Sequence, residues 1–105
     1  MGWLERLIDE YEGFQWDAAN SGKIWERHRV APTECEELFF NRPLVVDEDE
    51  EHSSAAEPMY ALGQSDAGRL LFAAFTIRER LIRVISARDM NRRERRTYEK
   101  ADTKI

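Results

Sequence analysis

The run Arg69-Leu-Leu-Phe-Ala-Ala-Phe-Thr-Ile77 constrains this chain most, because it is apolar at alternate and at intervening positions alike. A strand with two apolar faces needs cover on both sides, so the run predicts a central strand. Its neighbours supply the partners. Met59-Tyr-Ala-Leu62 precedes it across Gly63-Gln-Ser-Asp-Ala-Gly68, a hairpin connection with glycine at its tip. After a tight turn at Arg78-Glu-Arg80, Leu81-Ile-Arg-Val-Ile-Ser-Ala87 returns, and Leu44-Val-Val46 reads as a further short strand. The expectation is an antiparallel meander of about four strands.

Helical periodicity dominates before the meander. Trp3, Leu4, Leu7, Ile8 and Tyr11 make one stripe of a first helix, with Gly13 as its stop. Phe14-Gln-Trp16 is too short to classify, but Asp17 is a good N-cap for a helix reaching about Arg29. Pro32 interrupts that helix, and Thr33-Glu-Cys-Glu36 then reads as a capping box for a third, which carries Cys35, Leu38 and Phe39 inward and ends before Pro43. A last helix starts near Asn91, with Glu94 three residues on, and runs to about Ala101. Helices, then a meander, then one helix is the α+β class. At 105 residues the chain is expected to be one domain, with a helical extension over 1–13 and a core over 14–101. Trp3, Trp25, Phe39, Phe72 and Phe75 are expected to pack inside, and Trp16 to be half exposed.

Charge is divided unevenly. Residues 1–60 hold fifteen Asp/Glu against five Lys/Arg, whereas residues 61–105 hold six against eleven, so the net −5 hides a basic C-terminal part. Eight arginines lie between Thr76 and Tyr98. Guanidinium groups bind phosphate bidentately and stay charged at physiological pH, which makes phosphate, most of all that of a nucleic acid, the first partner to consider. The acidic run Asp47-Glu-Asp-Glu-Glu51 reads as a solvated loop, and His52 within it as a solvated residue. No segment has the length of apolar sequence that a membrane span needs, and the N-terminus lacks a signal-peptide pattern. A cytoplasmic location is expected, in keeping with the single Cys35, read as a small buried apolar residue.

Phe14-Gln-Trp-Asp17, Lys23, Arg27-His-Arg-Val30, Phe39-Phe-Asn41, Gly63, Gly68-Arg-Leu-Leu71 and Arg83-Val-Ile-Ser-Ala-Arg88, followed by Arg92, Glu94, Arg95 and Tyr98, carry a resemblance. Over about residues 14–100 the chain resembles the BrnT family of toxins. The resemblance implies a RelE-like fold and a small ribonuclease needing no metal or other cofactor, the toxin of a type II toxin–antitoxin pair. It also implies a ribbon-helix-helix antitoxin as partner, with DNA reached only through that antitoxin. The family usually has glycine after the histidine; here Arg29 stands there.

RNA cleavage without a metal requires a base for the ribose 2′-OH, an acid for the leaving 5′-oxygen and cations aimed at the phosphate. Arg88 and Arg78 are the candidates for stabilising the phosphorane-like charge, and His28 or Lys23 for moving the proton. Arg83, Arg92, Arg95 and Tyr98 are the candidates for holding RNA, with burial of Tyr98 against the sheet as an equal alternative. Simple alternation puts Arg83 and Arg88 on opposite faces of their strand unless the strand twists or ends first. No His/Cys/Asp/Glu group has metal-ligand spacing. The alternative reading is a non-catalytic interaction module or decayed toxin, whose arginines only grip an acidic partner.

Overall fold

The computed structural model describes residues 11–46 and 58–103; the expected first helix up to residue 10, the acidic run 47–51 and His52 lie outside them. Five strands are described: β1 (Gly13–Phe14), β2 (Val45–Val46), β3 (Met59–Gln64), β4 (Leu70–Arg78) and β5 (Leu81–Asp89). Three helices accompany them: α1 (Ala18–His28), α2 (Pro32–Phe40) and α3 (Arg92–Thr103). The sheet order is β1-β5-β4-β3-β2, which puts the doubly apolar run at the centre as expected. Strands β2 to β5 form the antiparallel meander. The expectation of about four strands is corrected by β1, which pairs parallel to β5 through Gly13 with Leu81 and Phe14 with Ile82. Tyr11 and Glu12 are correspondingly not helical: the Glu12 N–H donates to the Arg80 carbonyl at 2.6 Å, leading the chain into the sheet. Two residues are too few to carry a periodicity, which is why this strand was not legible.

One sheet face is the core face. Met59, Ala61, Leu71, Ala73, Phe75, Ile82, Val84 and Ala87 line it, and α1 and α2 lay Ile24, Leu38 and Phe39 on it. Phe39 meets Phe75 edge to face, with centroids 5.0 Å apart. Gly63 is required where α2 crosses β3, since a Cβ there would sit 2.8 Å from Leu38 Cγ and 2.9 Å from the Leu38 carbonyl oxygen. Asn20, buried on α1, donates through Nδ2 to the carbonyls of Gln15 and Val84 and so ties the helix to β5. Two expected core aromatics differ. Trp25 is 46 % exposed on the outer side of α1 under the Arg29 guanidinium, and Phe72 lies half-buried on the other sheet face. Trp16 is half-buried as expected, its indole N–H on Glu36.

The helix starts follow local chemistry. Asp17 and Asn20 cap each other's N–H at the start of α1, as do Asn91 and Glu94 before α3. The box expected at Thr33 and Glu36 is displaced by two residues. Pro32 opens α2 instead of breaking it, because proline fits the first helical turn, and Glu34 accepts the Ala31 N–H at 3.0 Å. Helix α1 ends on Arg29 in the left-handed conformation, φ 54°, the place where glycine carries no Cβ penalty. The β4–β5 turn, Glu79-Arg80, also has two positive φ values, 51° and 69°, the geometry of a type I′ hairpin.

Candidate nucleic-acid interface

A bulge decides where the β5 arginines point. Phe75 pairs with Val84 but Ala74 pairs with Ser86, so Ile85 is an extra residue in β5. Inward positions run Ile82, Val84, Ala87, and the alternation shifts by one between them. Arg83 and Arg88 therefore share the face away from α1 and α2, contrary to simple alternation. Across that face the rows are Arg83 beside Thr76, Ser86 beside Ala74 and Tyr60, and Arg88 beside Phe72 and Leu62. Arg78, exposed, is the diagonal neighbour of Arg83, about 7–8 Å away in backbone terms. Four residues of β4 separate the rows of Arg83 and Arg88, or roughly 13 Å. Between them lie the bulged, exposed Ile85, the small Ser86 and Ala74, and Tyr60, whose ring stacks on Phe72 with centroids 5.7 Å apart. The Thr76 hydroxyl in the first row is buried and makes no hydrogen bond with a described residue.

Arg88 is held in place by more than its backbone. Its guanidinium lies over the Phe72 ring at 4.2 Å. Nη1 and Nη2 donate to Glu94 Oε1 and Oε2 at 2.8 and 3.0 Å, and Nη1 also donates to the Asp89 carbonyl. Burial works against the Glu94 charge, but Arg88 and the Asn91 N–H outweigh it and hold the carboxyl below the usual glutamate range. Arg83 donates to Asp17 Oδ2 at 3.0 Å, and this bond, with the Asn20 N–H, lowers the Asp17 pKa.

A third arginine, Arg69, has more partners than either. Nε and Nη2 hold Asp89, Nη1 holds both Glu34 oxygens, and the carbonyls of His28, the last α1 residue, and of its cap Arg29 accept from Nη2 and Nη1. Those carbonyls have no partner within the helix, so the guanidinium completes the α1 C-terminus. Asp89 is held below its usual range chiefly by Arg69, with smaller contributions from Arg95 and His28. One pattern links all three arginines. Asp17, Glu34 and Glu94 are the capping carboxylates of α1, α2 and α3, and each is also the ion-pair partner of Arg83, Arg69 and Arg88 respectively.

The remaining candidates are scattered. His28 ends α1 half-buried near Asp89, on the helix-covered side of the sheet and therefore across it from Arg88. Lys23 is exposed on α1 and makes no hydrogen bond or ion pair with a described residue. Arg92 and Arg95 are exposed on α3, with Arg93 and Arg96. Tyr98 is buried: its hydroxyl donates to the Pro43 carbonyl at 2.7 Å and accepts from Gln64 Nε2 at 3.2 Å, fastening α3 to the sheet. The arrangement thus joins Arg78 with Arg83 and aligns Arg88 beyond them, but brings neither His28 nor Lys23 to that face. Arg69, Glu94, Asp17 and Tyr60 were not singled out for a site. Arg69 and Glu94 stand inside the motifs named above, and Glu94, a carboxylate at a capping position six residues after the strand arginine Arg88, is a signal that sequence carries.

An open groove of about 540 Å³ lies elsewhere, between β1 and α2, lined by Phe14, Phe39, Phe40 and Arg42 among others. Among the described residues no three His, Cys, Asp or Glu side chains gather as a metal site, and no helix is long and apolar enough to cross a membrane. Burial pushes the Cys35 thiol up to about 12, which leaves it inert at neutral pH. The family model for the ribonuclease toxin, BrnT, of type II toxin–antitoxin systems matches residues 16–94, about three quarters of the chain. No curated protein matches it.

Proposed function

The chain belongs to the BrnT family of ribonuclease toxins of type II toxin–antitoxin systems, and from that membership we propose that it cleaves single-stranded RNA on the sheet face carrying Arg78, Arg83 and Arg88. The observation that carries this reading is the bulge at Ile85, which sets Arg83 and Arg88 on one side with the Tyr60–Phe72 stack beside them. Cations that track a backbone and aromatic rings that accept unpaired bases are what single strands require. Cleavage proceeds by attack of the ribose 2′-OH on the adjacent phosphate without a metal, Arg88 stabilising the charge that spreads over the phosphate oxygens. Arg92 and Arg95, exposed on α3 beside Arg88, extend the phosphate-binding surface. The protein antitoxin that a type II toxin implies is of ribbon-helix-helix type, and DNA is contacted only through it.

Loss of one charge-assisted donor to a transition state lowers the rate by about a hundredfold, or on the order of 3 kcal/mol. Arg88→Ala should therefore lose RNA cleavage and toxicity while still binding the antitoxin. Its stability should fall by about 1–2 kcal/mol, since it leaves Glu94 without its two guanidinium bonds. Growth arrest by Arg88→Ala equal to the parent's, at equal expression, would remove that charge-stabilising role. One observation favours the second reading, a non-catalytic or decayed toxin: Arg69, Arg83 and Arg88 are all engaged by capping carboxylates. A parent protein that binds RNA but neither cleaves it nor arrests growth would select that reading.

A further inference from the structure

Resting on the proposal of RNA cleavage at Arg88, we propose that Glu94 is the general base that removes the 2′-OH proton. The argument is a count of hydrogen-bonding positions on two side chains. A guanidinium has five N–H groups. Arg88 uses three: one from Nη1 on Glu94 Oε1, the other from Nη1 on the Asp89 carbonyl, and one from Nη2 on Glu94 Oε2. The N–H of Nε and the second of Nη2 remain, and these two point the same way along one edge as a bidentate fork.

A carboxylate has about four lone-pair positions. On Glu94, Oε1 accepts from Arg88 Nη1 and from the Asn91 N–H at 2.9 Å, whereas Oε2 accepts from Arg88 Nη2 at 3.0 Å and from nothing else described. One position is left, on the oxygen next to the unused fork. The pair therefore presents two donors followed by one acceptor. A ribonucleotide at its scissile bond presents the complement, two phosphate oxygens followed by one hydroxyl donor. The Arg88 side chain is 34 % exposed and Glu94 18 %, so the pair is largely out of water, where such contacts are strongest, without being closed off.

The alternatives fit less well. His28 sits across the sheet beside Asp89, and Lys23 stands on α1 without a cationic or acidic partner among the described residues. Asp17, the other carboxylate bonded to an arginine of this face, has one oxygen on the Asn20 N–H and the other on Arg83, and lies beyond the sheet edge at the start of α1. In the step itself Glu94 Oε2 takes the 2′-OH proton, the 2′-oxygen bonds to phosphorus, and the bond from phosphorus to the 5′-oxygen breaks. The 5′-oxygen takes a proton from water, Glu94 returns its own to solvent, and a 2′,3′-cyclic phosphate is left.

The test is the pH dependence of kcat/KM for the parent protein on a short RNA, with Glu94→Gln beside it. The parent should show an acid limb of unit slope confined to the carboxylate range and well below that of histidine. Glu94→Gln keeps an oxygen for the Asn91 N–H but cannot take a proton. It should bind an all-2′-deoxy oligonucleotide within about threefold of the parent, cleave about a hundredfold or more slowly at pH 7, and gain about tenfold in rate per pH unit as hydroxide replaces the missing base. An acid limb near about 6.5 in the parent, the histidine range, overturns the assignment whether or not the variant folds. So does a Glu94→Gln variant within tenfold of the parent and flat with pH, or one whose loss is explained by weakened binding. A parent that cleaves no RNA overturns instead the reading on which this rests.

Discussion

Arg69 is the residue on which most of the described architecture converges. Its guanidinium holds β5 through Asp89, α2 through Glu34 and the end of α1 through two carbonyls, with only 27 % of the side chain exposed. Removing it would leave Asp89 and two helix-terminal carbonyls without their described side-chain donor and Glu34 with only the Ala31 N–H, so Arg69→Ala is expected to cost about 3 kcal/mol in stability, measured by urea unfolding. Arg69→Lys should recover less than half, because an ammonium cannot form two parallel bonds to Asp89. A change below about 0.5 kcal/mol for Arg69→Ala would mean that these bonds exchange freely with water. Residue-level reading of the sequence succeeded at Asp17, Asn91 and Cys35, where neighbours in the chain decide the outcome. It did not reach the partners of Arg69 and Arg83, which lie between 20 and 66 positions away.

At the scale of elements, helix caps and strand arginines are a single system. Each capping carboxylate fixes where a helix begins and also where a sheet cation is held, so an element boundary sets the spacing of the basic face. This gives an acid prediction. Asp17, Asp89 and Glu94 all have depressed pKa values when folded, so their contribution is fully present above about pH 4.5, the ordinary glutamate value, and is lost as pH falls through the depressed values. Thermal unfolding should show a Tm that is steady from neutral pH to about 5 and falls below about 4; a Tm that rises on acidification through that window would contradict the pairing. The β4–β5 turn gives another. Glu79 and Arg80 hold left-handed conformations that cost roughly 1 kcal/mol each outside glycine, and the ion pair of Arg80 with Glu12 is largely exposed. Glu79→Asn/Arg80→Gly should stabilise the protein by about 1 kcal/mol in chemical denaturation, and destabilisation would show that the turn's side chains matter more than its backbone. Neither the turn conformation nor the bulge was fully readable beforehand. The dipeptide Glu-Arg carries no type I′ signal, and the one-residue bulge leaves no glycine or other mark of its own in the nine-residue run Leu81–Asp89.

At the scale of the whole molecule, the chain distributes its roles by sheet face. One face, roofed by α1 and α2, holds the apolar core; the other carries arginines, Tyr60 and Phe72 and is fastened at one end by α3 through Tyr98. The α+β class and the central strand were legible because hydrophobic period decides them. The parallel β1 and the sharing of one face by Arg83 and Arg88 were not, because both depend on pairing between distant segments. The central claim is that this second face cuts RNA by its own side chains, using the ribose hydroxyl as nucleophile. The most direct measurement incubates the purified protein in EDTA with an RNA and with the same strand carrying a single 2′-deoxy nucleotide at the cleaved position. The account predicts undiminished cleavage in EDTA, a 2′,3′-cyclic phosphate on the product, and no cut at the deoxy position. Cleavage that vanishes in EDTA and returns with one divalent metal, or that proceeds equally through the deoxy nucleotide, would contradict it.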